Sequence, residues 1–205
     1  MNPFYRYALI YGGLASAVIA AFLVVTGTLN HTIEWVASEA FGYSAMLVAM
    51  SFVFVGVKRY RDIECGGVIK FWRALGLALL IALIASLAYT LIWEAYVAAT
   101  GDHFIDGWVA KQLAKARASG LSAEKIAKMA ADLNALKAAY ANPLTRMAMT
   151  FGVEIAPVGL VVALASAGLL RDPRIFPAKA NAERLSQLRK ARAAAKQARA
   201  GSDPA

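Results

Sequence analysis

One carboxylate stands where hydrocarbon would surround it: Glu154 alone interrupts an otherwise uncharged run from Met147 to Leu170. It is the eighth residue of that run, about 10–12 Å from the start at roughly 1.5 Å per residue. An ionised carboxylate at such depth costs at least about 2.5 kcal/mol even on a lenient insertion scale. The side chain must therefore face a protein interior, pair with a cation or donor, or hold a proton. Pro157 follows three residues later. It has no N–H, so it frees the carbonyl of Val153 and can kink the helix. A carboxylate beside a kink reads as a small polar pocket. Its use is either a structural bond to a neighbouring helix or proton and ion handling.

Other residues join it as candidates. Glu94 lies near the end of a second apolar run, Ala74–Val97. In an antiparallel bundle it could approach the level of Glu154, where two carboxylates would bind a cation or share a proton. His31 with Glu34, and His103 with Asp106, repeat an i, i+3 spacing. If those segments converge they could collect a divalent metal. HExxH is absent, and histidines beside acids are ordinary polar residues at an interface, so no metal or cofactor is expected. Lys58, Arg59, Arg61, Lys70 and Arg73 surround a Gly66-Gly67 turn. They read first as a topology signal and second as a site for a phosphate or lipid headgroup; the pattern is not a P-loop. Cys65 is the single cysteine, which excludes an intrachain disulfide and a thiolate metal site. No nucleophile–base pair, glycine-rich cofactor loop or haem motif occurs, so the chain does not read as an enzyme and has no catalytic candidates.

The elements that must position these residues are membrane spans. Of 205 residues 60% are apolar, against about 45–50% in soluble domains, and the excess lies in blocks. Tyr7–Gly27 and Phe41–Val57 are uncharged; Ala74–Val97 and Met147–Leu170 carry one acid each. The second block is short and could extend back through Trp35–Ala40. The first exceeds the roughly 7–15-residue core of a signal peptide and is read as a retained span. Blocks near 20 residues match a bilayer. Backbone groups in lipid must bond internally, so the blocks are expected to be helices. Alternation of period two is absent. The expected fold is all-α: an integral membrane four-helix bundle with spans near 7–27, 41–57, 74–97 and 147–170. A helical hairpin occupies 98–146, and a basic tail, 176–205, follows the membrane domain 1–175.

Charge sets the orientation. Arg6, the five cations between Lys58 and Arg73 and the nine after Leu170 place 15 Lys and Arg on one side, against seven on the other, all in Ala98–Arg146. The positive-inside rule puts both termini in the cytoplasm of a bacterial inner membrane and the hairpin in the periplasm.

Within that hairpin Phe104, Ile105, Trp108, Val109, Gln112 and Leu113 share one helical face. Gly120 suits a helix end and Ser122 an N-cap. Ile126, Met129, Leu133, Leu136 and Tyr140 form a second stripe, which Asn142-Pro143 ends. Such short helices persist in water only when packed, on each other, at the lipid surface or on a partner. Small residues recur every four positions at Gly12, Ser16 and Ala20, at Ala78, Ala82, Ser86 and Thr90, and at Gly159, Ala163 and Ala167. Such faces allow close helix approach. In the tail, Glu183–Ala200 could form a basic helix drawn to anionic lipid. It lacks the interleaved aromatics of a nucleic-acid binder, and no nucleic acid is expected.

The stretch Gly56-Val57-Lys58-Arg59-Tyr60-Arg61-Asp62, then Gly66-Gly67 and Phe71, combines with Tyr140, Asn142-Pro143, Phe151-Gly152-Val153-Glu154-Ile155-Ala156-Pro157-Val158-Gly159 and Leu169-Leu170-Arg171. In order and spacing these resemble the bacterial membrane family catalogued as domain of unknown function 4199, from the first span to Arg171. The resemblance implies a compact multi-span architecture; it supplies no activity and no catalytic residues.

Three functions compete. A structural or accessory membrane protein would dock a protein partner through the hairpin or tail. A small transporter or proton-coupled unit would use Glu154 and Glu94, and would need an oligomer because four spans enclose a thin pathway. A metalloprotein would use His31, Glu34, His103 and Asp106. The first is the preferred reading.

Overall fold

The computed structural model describes residues 1–29, 39–101 and 103–178, and the side chains of all of these except 27–29, 39, 100 and 103. Every regular element there is helical. The order is α1 (Pro3–Leu29), α2 (Glu39–Glu64), α3 (Phe71–Thr100), α4 (His103–Ala118), α5 (Ala123–Tyr140), α6 (Pro143–Met149), a π-helical turn Thr150–Ile155, and α7 (Ala156–Leu170). Four segments are long and apolar enough to cross a membrane: Pro3–Thr26, Ala40–Glu64, Phe71–Ala99 and Pro143–Leu170. This is the architecture of a multi-pass membrane protein. The expected helix in the tail, and the basic tail itself beyond residue 178, lie outside the described residues.

The helices outrun the apolar blocks. α2 continues through Lys58, Arg59 and Arg61, and α3 already includes Arg73, so the basic loop shrinks to residues 65–70. Charge does not end α2, because it is matched along the helix: Lys58 Nζ lies 2.6 Å from Asp62 at i, i+4. Gly66 and Gly67 end it, both with positive φ (62° and 87°). The Gly67 N–H then closes on the Arg61 carbonyl at 2.9 Å.

α2 and α3 form a central pair, flanked by α1 and by α7. The small faces are where helices meet. A Cβ on Gly56 would stand 2.7 Å from Ile81 Cδ1 and 2.8 Å from Tyr11 Cγ, and one on Gly12 2.7 Å from Ile84 Cγ2. Either position is therefore closed to any side chain without moving a neighbouring helix. Ala78, Ala82, Ser86 and Thr90 are buried, as are Gly159, Ala163 and Ala167. The two faces oppose each other, with Ala82 Cβ 3.2 Å from where a Gly159 Cβ would sit. Lipid offers no hydrophobic drive for helices to associate, so such close packing carries much of the cohesion. Leu47, Leu91, Val153 and Val161 point outward and are exposed, the pattern of a surface solvated by acyl chains.

At one end of the bundle α4 and α5 pack on each other. Ile105 and Val109 meet Leu133 and Tyr140, with Trp108, Leu113, Met129 and Leu136 around them. Gly120 turns the chain with φ 71°, and Ser122 caps α5 by accepting from the Lys125 N–H. Asn142 does not merely end α5. It caps α6 by accepting from the N–H groups of Leu144 and Thr145, with Pro143 in the first turn, where its missing N–H costs nothing.

Pro157 acts as expected of a residue without an N–H, but through a widened turn. The Ala156 N–H donates to the Phe151 carbonyl, five residues back, and the segment from Thr150 to Ile155 is π-helical. A π-helical turn relieves the clash between the proline ring and the preceding turn without breaking the rod.

Candidate functional site

Two polar layers lie between α3 and the segment Pro143–Leu170. The spacing that builds them is simple. Arg146, Thr150 and Glu154 recur every four residues, and α3 answers with Ser86, Tyr89, Thr90, Trp93 and Glu94 on its own matching face.

The layer nearer the hairpin is an ion pair. Arg146 donates from Nε to Glu94 Oε1 at 2.8 Å and from Nη2 to Oε2 at 2.7 Å. The side chains are 7% and 18% exposed, so this is a bidentate, largely desolvated pair of the strong kind. Arg146 also donates from Nη1 to the Tyr140 carbonyl at 3.3 Å, and its guanidinium lies 5.5 Å from the Tyr140 ring centroid. Trp93 Nε1 donates to the Tyr140 hydroxyl at 2.6 Å, and the Trp93 ring meets Phe104 edge-on at 4.9 Å. Residues of α3, α4, α5 and α6 thus converge on one cluster. Burial pushes the Tyr140 hydroxyl above its ordinary pKa, against the lowering effect of the Trp93 hydrogen bond.

The deeper layer centres on Glu154. The Tyr89 hydroxyl donates to Glu154 Oε2 at 3.2 Å. Thr90 turns its hydroxyl back to the Ser86 carbonyl at 3.0 Å. Thr150 is fully buried, and its hydroxyl meets no hydrogen-bond partner among the described residues.

The two carboxylates singled out in the sequence therefore have separate partners: Arg146 for Glu94 and Tyr89 for Glu154. Sequence reasoning missed Arg146 because it counted that residue only among the flanking charges. Its spacing to Thr150 and Glu154 was the available signal. Tyr89, Trp93 and Tyr140 were missed because aromatic residues inside apolar runs look like packing.

The basic candidates sort differently. Arg61 is completely buried. Its Nε donates to Asp62 at 2.8 Å, its Nη1 to the carbonyls of Leu170 at 3.3 Å and Ile175 at 3.2 Å, and its Nη2 to the Phe176 carbonyl. Lys58 is tied to Asp62. Arg73 donates to the Tyr60 hydroxyl at 2.5 Å and sits 5.4 Å from the centroid of its ring. Arg59 and Lys70 are exposed. Lys70 and Arg171 line an open groove of about 620 Å³ with Ile69, Phe71, Asp172, Pro173 and Arg174. The Asp172 carboxyl is held below its ordinary pKa by the backbone N–H and side chain of Arg174.

Of the metal candidates, His31, Glu34 and the side chain of His103 lie outside the described residues. Asp106 pairs with Lys137 at 2.5 Å. Among the described residues no three His, Cys, Asp or Glu side chains gather as a metal site. Cys65 is a free, half-buried thiol.

A family model described as protein of unknown function (DUF4199) matches residues 6–172. No curated protein and no solved structure matches the chain.

Proposed function

We propose that this chain, which belongs to the DUF4199 family, is a structural or accessory multi-pass protein of a bacterial inner membrane, not an enzyme, holding its hairpin out for a protein partner. Both termini lie in the cytoplasm by the positive-inside rule. The observation that carries the reading is the Glu94–Arg146 pair. A carboxylate held by both oxygens of a bidentate bond is poorly placed to pass ions. It is well placed to fix the root of α5 and α6 against α3, which gives the hairpin a defined orientation. Phe104 and Leu144 remain exposed near that root.

Mild-detergent purification tests this role. The same protein should accompany the wild type and Glu154→Gln, and disappear when charges replace exposed hairpin residues, as in Phe104→Glu. Loss of the companion in Glu154→Gln but not in Phe104→Glu contradicts the reading.

The basic end of the bundle fits contact with anionic lipid through the loop and the tail. Among the described residues, Lys70 and Arg171 line the groove without the close ion pair that Arg174 makes with Asp172. Nearby basic residues attract anionic lipid by about 1 kcal/mol each, so Lys70→Gln with Arg171→Gln should weaken binding roughly thirtyfold. Native mass spectrometry with phosphatidylglycerol against phosphatidylcholine reads this directly; equal retention of both by the wild type contradicts it.

A further inference from the structure

The widened turn leaves one carbonyl without a donor. The Gly152 carbonyl would take the Ala156 N–H in an α-helix, or the N–H of residue 157 in a π-helix. The first is given to Phe151, and the second does not exist because residue 157 is proline. Glycine has no side chain to cover that carbonyl, and a Cβ built there would meet nothing within 4 Å. Carbonyls point along the helix axis, here from Gly152 toward Ala156. Both residues border a groove of about 480 Å³ between the widened turn with α7 and α3, within the roughly 300–1,000 Å³ of small-molecule pockets. On the α3 wall stands Ser86, 2% exposed. Its carbonyl accepts from Thr90, but its hydroxyl has no partner among the described residues. That hydroxyl faces the gap at Gly159, 3.7 Å from where a Cβ would sit. Apart from these groups the walls are apolar, with Leu79, Leu83, Phe151, Pro157 and Leu160.

We propose that this groove binds one uncharged long-chain alcohol, whose hydroxyl donates to the Gly152 carbonyl and accepts from the Ser86 hydroxyl. A single O–H is the smallest group that answers both, and an apolar tail fills the rest. Depth excludes a charge. Ser86 is near the middle of the span Phe71–Ala99, and Gly152 and Ala156 lie well inside Pro143–Leu170, where a phosphate headgroup would be buried at great cost. A phospholipid therefore brings only its acyl chains, which carry no donor. In hydrocarbon the solvent offers an orphaned carbonyl no donor, so a ligand hydroxyl gains more there than in water. The site goes beyond the accessory role and can fail without affecting it.

The test is photolabelling of the full chain in phosphatidylcholine nanodiscs with farnesol carrying a diazirine on its chain. Peptides of α3 and of the segment Pro143–Leu170 should label saturably. Free farnesol should compete about tenfold better than farnesyl methyl ether, which keeps the shape and loses the donor, the usual worth of one hydrogen bond. Ser86→Ala should weaken labelling by a similar factor. Gly152→Phe should abolish it, since the ring enters the open space beside the turn. Equal competition by alcohol and ether overturns the proposal, because the groove then takes any chain, a phospholipid's included. Labelling that does not saturate, or that survives Gly152→Phe at wild-type affinity, overturns it as well. Should Gly152→Phe fail to fold, the ether comparison and Ser86→Ala decide; unchanged affinity in Ser86→Ala overturns the site.

Discussion

Arg146→Leu is expected to destabilise the protein by about 3–5 kcal/mol, the usual cost of leaving one member of a buried ion pair alone. Glu94 would keep its charge in a largely desolvated position, and Tyr140 would lose the donor to its carbonyl. The double variant Glu94→Leu with Arg146→Leu should be markedly milder, because it removes the charge as well as the bond. Arg146→Lys should not restore the wild type, since an ammonium cannot reproduce two parallel bonds to one carboxylate. Denaturant unfolding in detergent micelles measures all three. Equal losses in the single and double variants would mean that the pair is solvated and does not fasten the hairpin root.

Arg61→Met is the second large effect, roughly 2–4 kcal/mol, from hydrogen bonds of a charged donor to buried carbonyls. The guanidinium closes the end of α7 by reaching Leu170, Ile175 and Phe176. Terminal helix carbonyls lack partners within the helix and favour a cation nearby. Met keeps much of the volume and none of the donors, so the loss reports on the bonds. The segment after Leu170 should also become cleavable by added protease while the four spans stay intact. Unchanged stability and unchanged cleavage would show that water serves those carbonyls equally well.

Solvation made the spans legible in the sequence: blocks without charge need no partner to be recognised. The hairpin stripes from Ile105 to Leu113 and from Met129 to Tyr140 were legible through their period, and Gly120 and Ser122 through their backbone chemistry. Pairings across helices were not. Lys58, Arg59, Arg61, Lys70 and Arg73 look alike as a string of cations. Yet one is buried on carbonyls, one is bound to Asp62, one is exposed but rests on Tyr60, and the other two are simply exposed. Which of these occurs depends on where α7 and its following loop end, and no local pattern encodes that. Glu94 was visible as an intramembrane acid, but its partner lies 52 residues away. The π-helical turn was half visible: Pro157 signalled a disturbance, and the form it took depends on the packing of the turn against α3.

The account depends on four crossings with the hairpin and the tail on opposite sides. The direct measurement places a compartment-sensitive reporter within the turn at Gly120 and another after Ala178, in the otherwise intact chain. The account predicts that the first reports an exported location and the second a cytoplasmic one. Signals from the same compartment would contradict it.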